Sequence, residues 1–139
     1  MKIFVYFIGK PRDEHANAIA AEFLKRSGRW AQCEMREIDP ARFDLWARHP
    51  SAVKVLCDPA GKSLHSPAFA KLISTWRDES RDVVFALGGH DGFDDTWRRR
   101  ADMLLSLSAM TFPHELARAM LTEQIYRALA TLHGHPYPR

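Results

Sequence analysis

Cysteine is scarce in this sequence: Cys33 and Cys57 are the whole complement of a 139-residue chain. They stand in no metal-ligand spacing, and both fall on apolar stretches that read as strands, so a free, buried thiol is the expectation for each. Long hydrophobic runs are also missing. No stretch approaches the roughly 20 apolar residues that cross a bilayer, so no membrane partner is expected. The opening MKIFVYFIGK is too short for a secretory core followed by a cleavage site, which makes the cytoplasm the expected compartment. Charge of one sign does not dominate either, because 20 Lys and Arg face 17 Asp and Glu, a net charge of +3. So small an excess leans only mildly towards a polyanionic partner. Hydrophobic residues at 46% and charged residues at 27% exclude a disordered or fibrous chain and fit one globular domain over residues 1–139.

Several catalytic signatures are absent as well. The glycine-rich stretch LGGHDGF at 87–93 follows the apolar run VVFAL, yet it lacks the lysine and hydroxyl of GxxxxGK[ST]. GxGxxG is missing too, so neither a phosphate cradle nor a dinucleotide fingerprint is present. No HExxH or paired-cysteine motif occurs. His65, His90, His114, His133 and His135 are scattered, so no metal is expected. Ser63, His65 and Asp58 could form a loose hydrolytic set, but no GxSxG elbow presents the serine. Two readings of GGHDG remain open on these grounds: an ordinary tight turn, or a loop that lets a bulky ligand approach the backbone where side chains are missing.

The positive signals are those of an α/β fold. KIFVYFI reads as a central strand, and DEHANAIAAEFLKRSG places Ala16, Ile19, Ala20, Phe23 and Leu24 at helical spacing before Gly28 stops it. QCEMREI alternates like a strand with one wet face, and a punctuated stretch with a short helix follows. VKVLCD at 53–58 is a second buried strand, then a turn, then a helix opened by Ser66-Pro67. DVVFAL is the next strand, WRRRADMLL a helix capped by Asp94 or Asp95, and SAMTF the last strand before a long helix from His114. Strands separated by helices predict a mainly parallel sheet covered on both faces. Ligands of such sheets bind beyond the carboxyl ends of the strands. The loops PAGKSLHS, GGHDGF and TFPH converge there.

VLCDPAGKSLHSPAFA, FALGGHDGF, LSLSAMTFPHELARAMLTEQIYRA and the terminal GHPYP occur in one order that resembles the 23S rRNA pseudouridine1915 N3-methyltransferase family, a small branch of the SPOUT methyltransferases. The resemblance spans essentially the whole chain. It implies a SPOUT-type α/β knot with a C-terminal trefoil knot, S-adenosyl-L-methionine as cofactor, and a homodimer acting on 23S rRNA within the 70S ribosome. It assigns the cofactor pocket to Leu56, Gly88, Gly89, and the segment Leu107, Ser108, Ala109, Met110, Thr111 and Phe112. It further implies that His135, Tyr137 and Arg139 in the tail position substrate or handle its proton, with His114 and Arg118 in support. The tail is expected to complete the partner's site.

Some residues depart from the family pattern. His90 and Asp91 stand where Pro-Glu is common, so their side chains inherit no role, and Gly134 and Pro138 replace an asparagine and a second histidine. These departures keep a second reading open, a ribosome-binding protein that retains the fold without catalysis. Arg98, Arg99 and Arg100 form a run, with Arg118 and Arg127 on the last helix. They are read as RNA contacts or as a solvated charged face.

Overall fold

The computed structural model describes residues 1–138; Arg139 lies outside the described residues. Five strands, β1 (Lys2–Ile8), β2 (Gln32–Ile38), β3 (Val53–Ser63), β4 (Val83–Leu87) and β5 (Met103–Ser106), form one sheet in the order β2-β1-β4-β3-β5. Every pairing is parallel. The connecting helices are α1 (Glu14–Ser27), α2 (Leu45–Arg48), α3 (Ser66–Asp78), α4 (Asp95–Arg100) and α5 (His114–Leu132).

Strand alternation sorts the core into two layers, because successive side chains point to opposite faces of a sheet. Ile3, Val5 and Phe7 of β1 with Val83, Phe85 and Leu87 of β4 meet Leu24 of α1, Phe69 and Ile73 of α3, and Leu121 and Ile125 of α5. On the opposite face Tyr6, Leu56, Val84 and Ala86 pack on Leu45 of α2 and Trp97 of α4. Each fully buried Ile, Val or Phe contributes roughly 1.5–3 kcal/mol, and burial on both faces explains why β1 and β4 read as unbroken apolar runs. The expected parallel sheet with helices on both faces is what forms.

Caps fix the helix starts. Asp13 accepts from Ala16 N–H, Asp44 from Trp46 and Ala47, and Asp94 from Trp97. Two boundaries differ from the sequence expectation. The helix expected through WRRRADMLL stops at Arg100 because Ala101 turns extended and Asp102 accepts a hydrogen bond from Lys54 N–H. Met103–Ser106 then pairs with β3, which leaves SAMTF as loop rather than strand. β3 also runs past VKVLCD to Ser63, with a register break between Cys57 and Lys62 where both face Leu105. That bulge carries Asp58 and Pro59 out of the ladder. Gly61 closes it, since a Cβ there would lie 2.5 Å from the Leu104 carbonyl carbon.

Candidate active site

β3, β4 and β5 deliver three segments to one side of the sheet, at the carboxyl ends. There Cys57, Asp58, Leu87, Gly88, Gly89 and the 105–112 region, with His114 and Ala117 of α5, line a cavity of about 230 Å³. Cys57, Leu87 and Leu105 belong to the layer covered by α5, so the floor is apolar, and His90, Leu107, Met110, Phe112 and His114 stand around it. Burial pushes the Cys57 thiol up to about 12. At neutral pH it is a neutral packing group and no nucleophile.

The glycine loop is tight for a geometric reason. A Cβ on Gly88 would lie 2.9 Å from Gly92 Cα, and one on Gly89 would lie 3.4 Å from the Ile8 carbonyl oxygen. Gly92 itself holds φ +71° and returns its N–H to the Gly89 carbonyl at 3.1 Å. The loop therefore turns back on itself and offers main chain to the cavity. Opposite it, Ser106 Oγ donates to the Ser108 carbonyl at 2.9 Å and Ser108 Oγ accepts from Met110 N–H at 3.0 Å. Those two bonds shape the 107–112 segment without using the rest of its backbone groups.

Most of the residues that the family resemblance assigned to the pocket meet in this cavity: Gly88, Gly89, Leu107, Ser108, Met110, Thr111 and Phe112 all line it, as does His114, the supporting catalytic candidate. Leu56 does not. Its side chain is fully buried in the α2–α4 layer, and the lining position falls one residue later, at Cys57. Ala109 is exposed and lies outside the lining. Arg118 is also placed differently from the expectation. It is 1% exposed, its guanidinium carbon lies 3.5 Å from the Phe7 ring centroid, and its Nη1 donates to Asn17 Oδ1. It does not line the cavity.

The tail sits elsewhere in the chain. His135 N–H donates to the Ala130 carbonyl at 2.9 Å, its ring meets Trp30 edge-on, and its Nδ1 accepts from Tyr137 N–H at 3.1 Å. Tyr137 donates its hydroxyl hydrogen to Glu123 at 2.7 Å. Burial and that bond raise the phenol above its ordinary value. The tail folds back along α5, with Tyr137 on Glu123 and His135 beside Tyr126, and neither residue lines the cavity. One chain does not bring the tail and the cavity together. Arg139, the third tail candidate, lies outside the described residues.

Sequence reasoning missed Glu115, and it considered Asp58 only for a loose hydrolytic set. Asp58 lines the cavity and pairs with Arg98 at 2.9 Å, clamping α4 to the β3 bulge. Two of the three arginines in the run therefore have partners within the chain: Arg98 on Asp58 and Asp95, and Arg100 stacked 4.3 Å from the Trp46 ring. Ser63 and His65 line no part of this cavity, and Asp58 is bonded instead to Arg98 and Ala60 N–H. Among the described residues no group of three or more His, Cys, Asp or Glu side chains could hold a metal ion, and no helix is long and apolar enough to cross a membrane.

A second cavity, of about 360 Å³, runs between α1, α3 and α5. It is lined by Ile19, Phe23, Phe69, Leu116 and Met120 and shares Leu105, Ser106 and Leu107 with the first. Ile19 and Leu116 are 47% and 42% exposed.

The family model described as "Predicted SPOUT methyltransferase" matches residues 1–138. Over the full length of both chains, the sequence is 65% identical to the ribosomal RNA large subunit methyltransferase H of Solibacter usitatus (strain Ellin6076). It is 40% identical to the protein of that name from Rhodospirillum centenum (strain ATCC 51521 / SW), covering 100% of this chain and 99% of that one. Among solved structures, the TrmH/SpoU tRNA modifying enzyme of A. aeolicus superposes with a TM-score of 0.56 at 12% identity, covering 95% of this chain and 77% of that one. The SpoU methyltransferase AviRb of Streptomyces viridochromogenes, in complex with AdoMet, gives 0.52 at 14% identity, covering 94% and 61%. At such identities the two structures speak for the fold alone, whereas the full-length sequence matches settle kinship: the chain belongs to the SPOUT methyltransferases and, within them, to the ribosomal RNA large subunit methyltransferase H family.

Proposed function

We propose that this chain transfers a methyl group from S-adenosyl-L-methionine to N3 of a pseudouridine in 23S rRNA of the assembled 70S ribosome, at the 1915-type position, as a homodimer. The observation that carries the proposal is full-length kinship with large-subunit rRNA methyltransferases, supported by a cavity lined by most of the segments that the family resemblance gives to the cofactor.

The residues fit the cofactor. An apolar floor of Cys57, Leu87 and Leu105 suits an adenine ring, and the glycine loop, with no side chain at Gly88 or Gly89, leaves backbone donors and acceptors open to it beside the 107–112 segment. The cofactor would supply an electrophilic methyl group on a sulfonium. The acceptor is an imide nitrogen that must lose a proton before or during attack, and alignment of that nitrogen carries much of the rate.

The tail groups suit that task in distinct ways. Because His135 Nδ1 accepts from Tyr137 N–H, Nε2 carries the ring hydrogen in the neutral form. His135 is then a donor, able to stabilise charge on a carbonyl flanking the reacting nitrogen. Tyr137, with its phenol raised, stays protonated at neutral pH. His114 lines the cavity and is the candidate to accept the proton. The separation of tail and cavity within one chain supports a site completed by the partner's tail, and the apolar groove with exposed Ile19 and Leu116 is the surface on which the two copies would meet.

Labelled methyl transfer from S-adenosyl-L-methionine to ribosomes lacking the modification tests the reading. Label mapped to N3 of the expected pseudouridine is the expected result. Tight ribosome binding without label would favour a non-catalytic ribosome-binding protein, and turnover of an ester without any methyl donor would favour a hydrolase.

A further inference from the structure

We propose that the loop between β1 and α1, residues 9–13, docks the phosphodiester backbone of RNA beside the reacting base, with Lys10 and Arg12 meeting phosphate and Glu115 holding the loop. This rests on the RNA-methyltransferase reading above.

Position comes first. β1 and β4 are parallel neighbours with Phe7 opposite Leu87, so the loop leaves the sheet alongside the glycine loop, where Gly89 packs on Ile8. On its other side lies the first turn of α5. Glu115 accepts from both Arg12 N–H and Asp13 N–H, and from Asn17 Nδ2 at 3.0 Å. Its neighbour His114 lines the cofactor cavity. The loop is thus tied to the element that carries the cavity wall.

Charge comes second. Lys10 and Arg12 are exposed, and neither enters an ion pair among the described residues. The acidic groups attached to the loop are already engaged: Asp13 accepts from Ala16 N–H, and Glu115 from the two loop amides. Gly9, at φ +97°, gives the chain the left-handed turn that starts the loop. The main chain is therefore fixed by Glu115 while both cationic side chains stay free. Exposed carboxylates at Glu14 and Asp91 keep the surroundings from being uniformly basic, so the loop offers two discrete cations rather than a general positive face. Asn17 accepts from Arg118, which makes Arg118 a positioning residue for the same loop.

Each phosphate neutralised by a cation steepens the fall of log affinity with log salt by about 0.7 to 0.9. Ribosome binding and methylation are to be measured over a salt series for three proteins: the wild type, a Lys10→Gln/Arg12→Gln variant, and a Lys25→Gln/Lys71→Gln control that removes equal charge from exposed positions on α1 and α3. The expected result is a slope flatter by about 1.4 to 1.8 for the loop variant alone, with KM for ribosomes raised several-fold and cofactor affinity within about twofold of the wild type. A slope change no larger than the control's overturns the proposal. Methyl transfer failing in the wild type while the loop still sets the salt slope of binding would remove the enzymatic reading and leave the docking loop standing. Amide exchange at Arg12 and Asp13 should quicken in Glu115→Gln; unchanged exchange would remove Glu115 from the assignment.

Discussion

Glu115 carries a charge that the fold uses. Hydrogen bonds from the Arg12 amide, then from the Asp13 amide, hold its carboxyl at about 2 against an ordinary 4.5. The folded chain therefore binds fewer protons at this site than the unfolded chain in the window between those values, so its contribution is complete above about pH 4.5 and fades as pH falls towards 2. Melting temperatures of the wild type and Glu115→Gln should differ at neutral pH and converge across that window; a constant gap would mean that the carboxylate charge is not what matters. None of this was legible from residue order, because Glu115 meets Arg12 only after two helices pack. The same applies to Arg118, whose family-based assignment to the site gave no hint that it lies flat on Phe7. Leu56 and Cys57 differ for a simpler reason: adjacent strand residues face opposite layers, and sequence does not say which layer α5 covers.

At the scale of elements, strands with β-branched and aromatic runs were plain, and so were the helices with caps and a clear apolar face. β5 was not. Its sequence MLLS is rich in helix formers, and only pairing with β3 makes it a strand. The glycine loop was visible as a loop, though its closeness to Ile8 was not. The tail is an element in its own right, tied by His135 and Tyr137 to Trp30, Tyr126 and Glu123. Deleting residues 135–139 should reduce methylation at least 100-fold and lower the melting temperature by only a few degrees. If the partner's tail completes the site, a mixed dimer pairing the deletion with a Gly88→Val chain should recover one working site. Failure of that mixture, with both parents folded and dimeric, would place the tail's action within its own chain.

At the scale of the whole molecule, an apolar groove of about 360 Å³ lies open between α1, α3 and α5, and it is the proposed seat of the second copy. Sedimentation at micromolar concentration should report a dimer for the wild type, and Leu116→Glu should shift it to monomer with loss of activity. A monomeric wild type would contradict a shared site. Fold class followed from sequence because strands separated by helices make a parallel sheet; of the three expected loops GGHDGF and TFPH reach the cavity, whereas most of PAGKSLHS continues β3 or lies outside the lining. The groove did not follow from sequence, because helical periodicity does not separate core from interface.

Leu105, Ser106 and Leu107 line the groove and the cofactor cavity alike. The two spaces are separated by a wall one strand thick. If a second copy seated in the groove shifts that segment, linkage requires that a ligand in the neighbouring cavity shift association by the same factor. In the proposed dimer, a substitution within Leu105–Leu107 that loosens association should also weaken binding of S-adenosyl-L-methionine, because both spaces rest on that one segment.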